Sequence, residues 1–239
     1  MGLFRTSIIQ KIQRNILYRS GCLSRESEIS SRSHFPDQSG QLHSVYIDNV
    51  ELKNGFPNHD VAPFQGVKVT NFAPTMEMPV IIENQVVNMR WGLIPSWSQN
   101  KSFANKLINA RGETLLTKPS FKNLVDTQRC VVPSNGFYEW DTASKLPYFI
   151  QPADGSLMNF CGLHTLWMDE NRRPVNTFTI ITTKSNQIMS EIHHRMPVIL
   201  ELGSEYKWLN RANNFAAVQN LVKPIGDSSI SITPIDKVS

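Results

Sequence analysis

The sequence predicts an α+β domain built on an antiparallel or mixed sheet, and two observations carry that prediction. From residue 129 to residue 183 strand-like segments follow one another with few helices between them, whereas a doubly wound chain alternates strand and helix. A hydrophobic share of 40% over 239 residues supplies an ordinary globular core, and no internal repeat breaks it up.

The elements can be justified in order. Residues 1–34 carry Arg5, Lys11, Arg14, Arg19 and Arg25 before the first acidic residue, Glu26, with Ile8, Ile9, Ile12 and Ile16 at helical spacing and serines following. Basic, serine-rich, acid-poor sequence reads first as a mitochondrial presequence. A plain extension ranks second, and a lipid anchor on Met1-Gly2-Leu3-Phe4-Arg5-Thr6 third. Without such an address, a nuclear or cytoplasmic location, or the bacterial cytoplasm, is expected. Residues 35–239 form the expected single domain. Its first part, to about Lys68, is polar and turn-rich and shows no clear element. Val80-Ile81-Ile82, Glu83-Asn84-Gln85 and Val86 to Leu93 read as strand, turn and strand. A helical turn is expected at Glu113 to Leu116, with another around Phe121 to Leu124 after Lys118-Pro119-Ser120. Strands follow at Arg129–Pro133, Phe137–Trp140, Pro147–Gln151, Leu157–Met168 and Val175–Thr183, with Asp154-Gly155 as a tight turn. A helix from Asn186 to Ile192 leads into His193, and Met196 to Leu200 resumes as strand. Helices at Glu205–Leu209 and Phe215–Leu221 and a strand at Ser229–Pro234 complete the order.

Composition narrows the function classes. No apolar run approaches the roughly 20 residues of a spanning helix. The net charge of +4 is a mild basic lean that suits a polyanionic partner without demanding one. Three cysteines, Cys22, Cys130 and Cys161, make no CxxC pair and no even disulfide framework, and the last two sit in apolar strands as small buried hydrophobes. There is no Walker loop, Rossmann glycine fingerprint, zinc-spaced Cys/His set or Gly-x-Ser-x-Gly elbow, so neither cofactor nor metal is expected. With no exposed heptad or apolar stripe, a monomer is the expected state.

Polar residues cluster at three places: Asn109-Ala110-Arg111, Gly136-Phe137-Tyr138-Glu139-Trp140 and His193-His194-Arg195-Met196-Pro197. Glu139, between two aromatics on a strand, is either an exposed carboxylate or a desolvated one with a raised pKa suited to acid–base work. At most one of His193 and His194 enters a site, because neighbours on irregular backbone diverge. The two-residue spacing of Asn109 with Arg111, and of His193 with Arg195, puts each pair on one face of extended chain. Arg111, Arg195 and Arg129 are candidate bidentate phosphate contacts, or arginines of a solvated face. Trp91 and Pro74 offer stacking or wedging surfaces for bases, or a core tryptophan and a rigid turn.

These residues occur in an ordered series: Phe72-Ala73-Pro74-Thr75, Met89 to Trp97 (MRWGLIPSW), Asn109-Ala110-Arg111-Gly112-Glu113, Lys118 to Phe121, Arg129 to Pro133, Gly136 to Trp140, Thr177 to Thr182 and Ile192 to Pro197. Over about residues 67–200 the series resembles the SOS response-associated peptidase (SRAP) family of abasic-site processing proteins. The resemblance implies a bifurcated, barrel-like sheet flanked by short helices. It also implies binding of single-stranded DNA, self-processing that exposes an N-terminal cysteine, and a thiazolidine crosslink between that cysteine and the aldehyde of an abasic site. By resemblance Asn109 would position the terminal residue, Glu139 would shuttle protons at the amine and the Schiff base, and His193 would protonate the opened sugar oxygen. Arg111 and Arg195 would hold phosphates, and Trp91 and Pro74 would shape the DNA path. The family begins Met-Cys-Gly-Arg, whereas this sequence reads Met1-Gly2-Leu3-Phe4-Arg5. Removal of a presequence after Gly21 would make Cys22 the terminal cysteine that the chemistry requires. The alternatives are a single-stranded DNA-binding homologue with altered chemistry and a thiol hydrolase using Cys130 or Cys161 with His193.

Overall fold

The computed structural model describes Phe56, residues 72–83 and residues 85–236, all within the compact unit Gln38–Ser239. Cys22 and the presequence expected in residues 1–34 lie outside the described residues.

Strands β1 (Glu77–Ile82) and β2 (Gln85–Trp91) pair antiparallel, with Ile82 opposite Gln85, as the strand–turn–strand reading predicts. Short β3 (Asn109–Arg111) leads into a single 3-10 turn at Gly112–Thr114. Hydrogen-bonded turns, not a helix, occupy 118–128. Then come β4 (Arg129–Ser134), β5 (Phe137–Trp140), β6 (Pro147–Pro152), β7 (Met158–Met168) and β8 (Pro174–Lys184). Helix α1 (Gln187–Ser190) is capped by the Asn186 side chain, which accepts from the Met189 N–H. After it stand β9 (Arg195–Pro197), α2 (Glu205–Leu209), α3 (Phe215–Val218) and β10 (Ile230–Pro234).

The large sheet runs β2-β1-β4-β7-β8, and β8 pairs back to β2 through Arg90↔Thr177 and Trp91↔Phe178. That parallel pairing closes five strands into a barrel. Beyond the closure β8 continues and the sheet forks. Asn109 and Arg111 of β3 pair with Ile180 and Thr182 on the edge that β2 has left, while β9 pairs with Thr182–Lys184 on the edge that β7 has left. The expected bifurcated sheet is therefore present, with β8 as its stem. Strands β10-β6-β5 form a separate three-stranded antiparallel sheet.

Both faces of the large sheet are covered, which is why β4 is buried at every position and lacks alternation. Ile81, Val131, Cys161 and Ile181 pack in one cluster with Trp208 and Leu209 of α2 and Phe215 of α3. Their sequence neighbours Val80, Val132, Phe160 and Ile180 pack in the other, with Phe137, Ile150 and Ile230 of the small sheet and Met189 of α1. Two glycines are required by close approach. Gly92, at φ +115, turns the chain out of β2 where a Cβ would strike the Ala104 carbonyl, and a Cβ at Gly136 would strike the Ile150 carbonyl of β6.

Candidate functional site

The forked end of β8 brings the sequence clusters together. On β3, Ala110 is fully buried while Asn109 is half-buried and Arg111 exposed, so the two-residue spacing places both polar side chains on the outer face. On the opposite edge Arg195 opens β9. Its guanidinium forks onto Glu113 at 3.1 and 3.0 Å and also donates to the Thr182 carbonyl at 2.8 Å. Arg195 thus joins the chain after β3 to the stem of the fork. That hydrogen bond holds the Glu113 carboxyl below its ordinary range, with the charges of Arg195 and Arg111 adding to it.

His193 follows α1, its N–H closing the last turn on the Met189 carbonyl at 2.9 Å. The turn after β5 is tied to the same point by Thr142 N–H donating to the Ile192 carbonyl at 3.1 Å, and this bond brings Glu139 alongside His193. The Glu139 carboxylate lies 4.0 Å from His193 Nδ1. Glu139 is only 3% exposed, and burial raises its carboxyl to about 7, although the Trp140 N–H donating to Oε1 at 3.2 Å pulls the other way. Burial also lowers the His193 pKa, the nearby His194 and Arg195 lower it further, and only its contact with the Arg195 backbone opposes them. The imidazole is therefore neutral at pH 7 and the carboxyl about half protonated. The pair is not an ion pair, and 4.0 Å is too long for a hydrogen bond. It is an acid and a base in near contact, which a small shift brings to hydrogen-bond distance. Nδ1 of His193 faces the backbone of Arg195, 3.2 Å from its N–H and 3.0 Å from its carbonyl oxygen. His194 is exposed, as expected of the second histidine.

Two expected DNA contacts are corrected. Arg129 is 4% exposed, and its five N–H bonds all go to backbone carbonyls: Trp208 at 2.5 Å, Val125 at 2.7 Å, Asp126 at 2.8 Å, Asn210 at 2.7 Å and Asn213 at 2.8 Å. No donor is left for phosphate, and Arg129 instead ties the start of β4 to the chain around α2. Trp91 is 1% exposed, stacked on Phe178, with its indole N–H donating to the Ile108 carbonyl at 2.9 Å. It cannot stack on a base, but it braces the residue just before Asn109. Pro74 is half-buried in the turn preceding β1.

The thiol hydrolase alternative also fails on this geometry. Cys130 and Cys161 are fully buried, and burial pushes both thiols well up, away from the thiolate a nucleophile needs. Among the described residues no group of three His, Cys, Asp or Glu side chains is placed to hold a metal ion, and no helix is long and apolar enough to cross a membrane.

The structure adds two residues that sequence reasoning passed over. Glu113, 82 positions from Arg195, is its carboxylate partner, and nothing in a linear pattern links them. Trp97 is 58% exposed, edge-on to Phe103 at 5.5 Å, in the loop between β2 and β3. Its burial state could not be read from Pro95-Ser96-Trp97-Ser98, which lacks periodicity.

Comparison with known proteins gives the family and the fold. The family model for SOS response associated peptidase (SRAP) matches residues 43–238. The abasic site processing protein YoqW of Bacillus subtilis is 41% identical over 162 residues, 64% of this chain and 72% of that protein. The abasic site processing protein HMCES of Gallus gallus is 37% identical over 157 residues, 54% of this chain and 46% of that protein. A crystal structure of a protein from Bacteroides thetaiotaomicron superposes with a TM-score of 0.73 at 29% identity, covering 81% of this chain and 91% of that one. A Bordetella bronchiseptica protein at 19% identity shares the fold, with the same TM-score of 0.73 over 83% of this chain and all of that one. With a family match over most of its length and a fold shared with solved structures, this chain belongs to the SOS response associated peptidase family.

Proposed function

We propose that this protein processes abasic sites in single-stranded DNA by condensing a primary amine with the ring-opened sugar aldehyde between Glu139 and His193. The observation that carries the reading is the buried Glu139 carboxyl, raised to about 7 and 4.0 Å from a neutral imidazole. Imine formation needs one group that both gives and takes a proton near neutral pH. The amine attacks the carbonyl carbon, and its proton passes to the oxygen. The resulting hydroxyl then leaves as water once protonated, and a carboxyl half ionised at pH 7 serves both transfers. His193, neutral at rest, relays a proton from the Glu139 carboxyl to the ring oxygen as the sugar opens. If the amine belongs to a terminal cysteine, its S–H then adds across the C=N bond. Sulfur bonds to carbon, nitrogen takes the proton, and a thiazolidine closes with no redox step. Cys22 becomes such a terminus on removal of residues 1–21. Exposed Arg111, Arg195 once released from Glu113, and exposed Trp97 supply phosphate and stacking contacts to the strand, and Pro74 shapes its path.

The test is to incubate the protein from its native source with a single-stranded oligonucleotide bearing one abasic site. Denaturing gels with and without borohydride would be run, followed by peptide mass spectrometry of any adduct. A borohydride-independent adduct on a Cys22 amino-terminal peptide is expected. An adduct trapped only by borohydride would place the chemistry at the imine stage. Absence of any adduct, with native binding intact, would overturn the covalent reading and leave a DNA-binding homologue.

A further inference from the structure

Away from the fork a second concavity has a chemistry of its own. Where β6 ends and pairs with the start of β10, a cavity of about 250 Å³ opens between the β6–β7 turn, the chain after β9 and the chain entering β10. None of the residues assigned to abasic-site processing lines it. Three carboxylates do, Asp154, Glu201 and Glu205, and no lysine, arginine or histidine. Glu201 is half satisfied by Lys223 at 3.5 Å, on the exposed side. Glu205 differs: it is 3% exposed, and no basic side chain among the described residues pairs with it.

Beside it stands Asn159, 4% exposed, whose Nδ2 donates to Glu205 Oε1 at 2.7 Å. This bond fixes the amide orientation, because the flipped amide would set oxygen against carboxylate oxygen. Asn159 Oδ1 is consequently left buried with no hydrogen-bond partner. A buried acceptor without a donor and a buried carboxyl group without a basic partner are both costly, and both residues belong to the lining of this cavity. A hard divalent ion does not resolve the deficit, since no three acidic or histidine side chains converge there among the described residues. A primary ammonium brings what the wall lacks, one positive charge and three donors. The remaining wall is largely apolar, with Leu157, Met158, Ile199, Leu200 and Ile230. The volume falls below the roughly 300–1,000 Å³ of drug-sized sites.

We propose that this cavity binds a small primary amine with a compact apolar body, its ammonium seated against Glu205 and Asn159. The test uses the full chain at pH 7, titrated by calorimetry with cyclohexylamine and, as a neutral isostere, cyclohexanol. Saturable binding of the amine is expected, at least about tenfold tighter than the alcohol, in line with a charged hydrogen bond. Glu205→Gln keeps an acceptor for Asn159 and so preserves the fold, which an unchanged melting curve verifies, yet it lowers amine affinity about tenfold or more. Ser228→Phe, at an exposed position on the cavity rim, abolishes binding without touching the core. Equal binding of amine and alcohol, no saturable binding, or an amine affinity indifferent to Glu205→Gln would each overturn the proposal. A capped lysine tripeptide that binds where cyclohexylamine does not would assign the cavity to a protein side chain and overturn it too.

Discussion

Replacing Glu139 by glutamine should stabilise the fold at alkaline pH while removing the chemistry. Below pH 4.5 the carboxyl is protonated in both folded and unfolded chains, and the folded state bears no penalty. As the pH rises the unfolded carboxyl ionises first, near its ordinary value of 4.5, while the buried one holds its proton until about 7. Stability attributable to this group is therefore full below pH 4.5 and is lost as the pH climbs through 7. The interval of about 2.5 pKa units corresponds to about 3 kcal/mol at 1.36 kcal/mol per unit. Glutamine keeps the shape and an acceptor for the Trp140 N–H but never ionises. Differential scanning of wild type and Glu139→Gln from pH 4.5 to 8.5 should show melting temperatures that coincide at the acid end. They should diverge toward pH 8.5 by about 6–12 °C in favour of the variant, taking about 2–4 °C per kcal/mol for a domain of this size. Adduct formation on abasic DNA should fall to background in the same variant. A gap between the two proteins that does not change with pH, or a variant less stable at pH 8.5, would refute desolvation as the cause of the raised carboxyl.

Other outcomes follow from individual contacts. Arg111→Ala should weaken single-stranded DNA binding and reduce the salt slope by about 0.7, the signature of one lost phosphate contact, as read by fluorescence anisotropy across a salt series. Trp97→Ala should cost about 1–3 kcal/mol of binding by loss of a stacking platform, whereas Trp91→Phe should leave affinity unchanged and lower thermal stability. Glu113→Gln should free the Arg195 fork and tighten DNA binding by up to about fivefold at low salt; unchanged or weaker binding would show that the carboxylate positions the arginine and does not compete for it. Arg129→Met should leave the buried carbonyls of Trp208 and Val125 unpaired and cost about 2–6 kcal/mol, seen as a lower denaturant midpoint, with no specific loss in the DNA affinity of the folded fraction.

Local patterning fixed most of the strand order, because each strand from β4 to β8 is long enough, and bounded by clear enough turns, to be read without its partners. The helix at Glu205–Leu209 fell where it was expected, and α1 lies within the helix expected from Asn186 to Ile192. The helical turn expected around Phe121 is one of a run of hydrogen-bonded turns that pin Phe121 and Val125 into the core, and the length of that run is not revealed by a four-residue pattern. The site was partly readable for the same reason. Glu139, His193, Asn109 and Arg111 lie in compact motifs whose spacing already sets which side chains share a face.

Tertiary structure alone decided how those faces meet. Closure of the barrel rests on Arg90↔Thr177 and Trp91↔Phe178, pairings between segments some 87 residues apart that no local pattern encodes. The closure leaves the end of β8 to fork and carry β3 and β9 on its two edges. The fork also sets which arginines remain available. Arg111 and Arg129 are alike in sequence terms, each following a polar or apolar neighbour on a short strand, yet one stands in solvent and the other gives every donor to backbone carbonyls. A guanidinium's role follows from the acceptors around it, and those acceptors come from distant chain. By itself the sequence determined the strand order and the elements on which the candidate site residues lie. Only the fold determined which are buried, which are paired, and therefore which carboxyl is desolvated enough to exchange a proton at neutral pH.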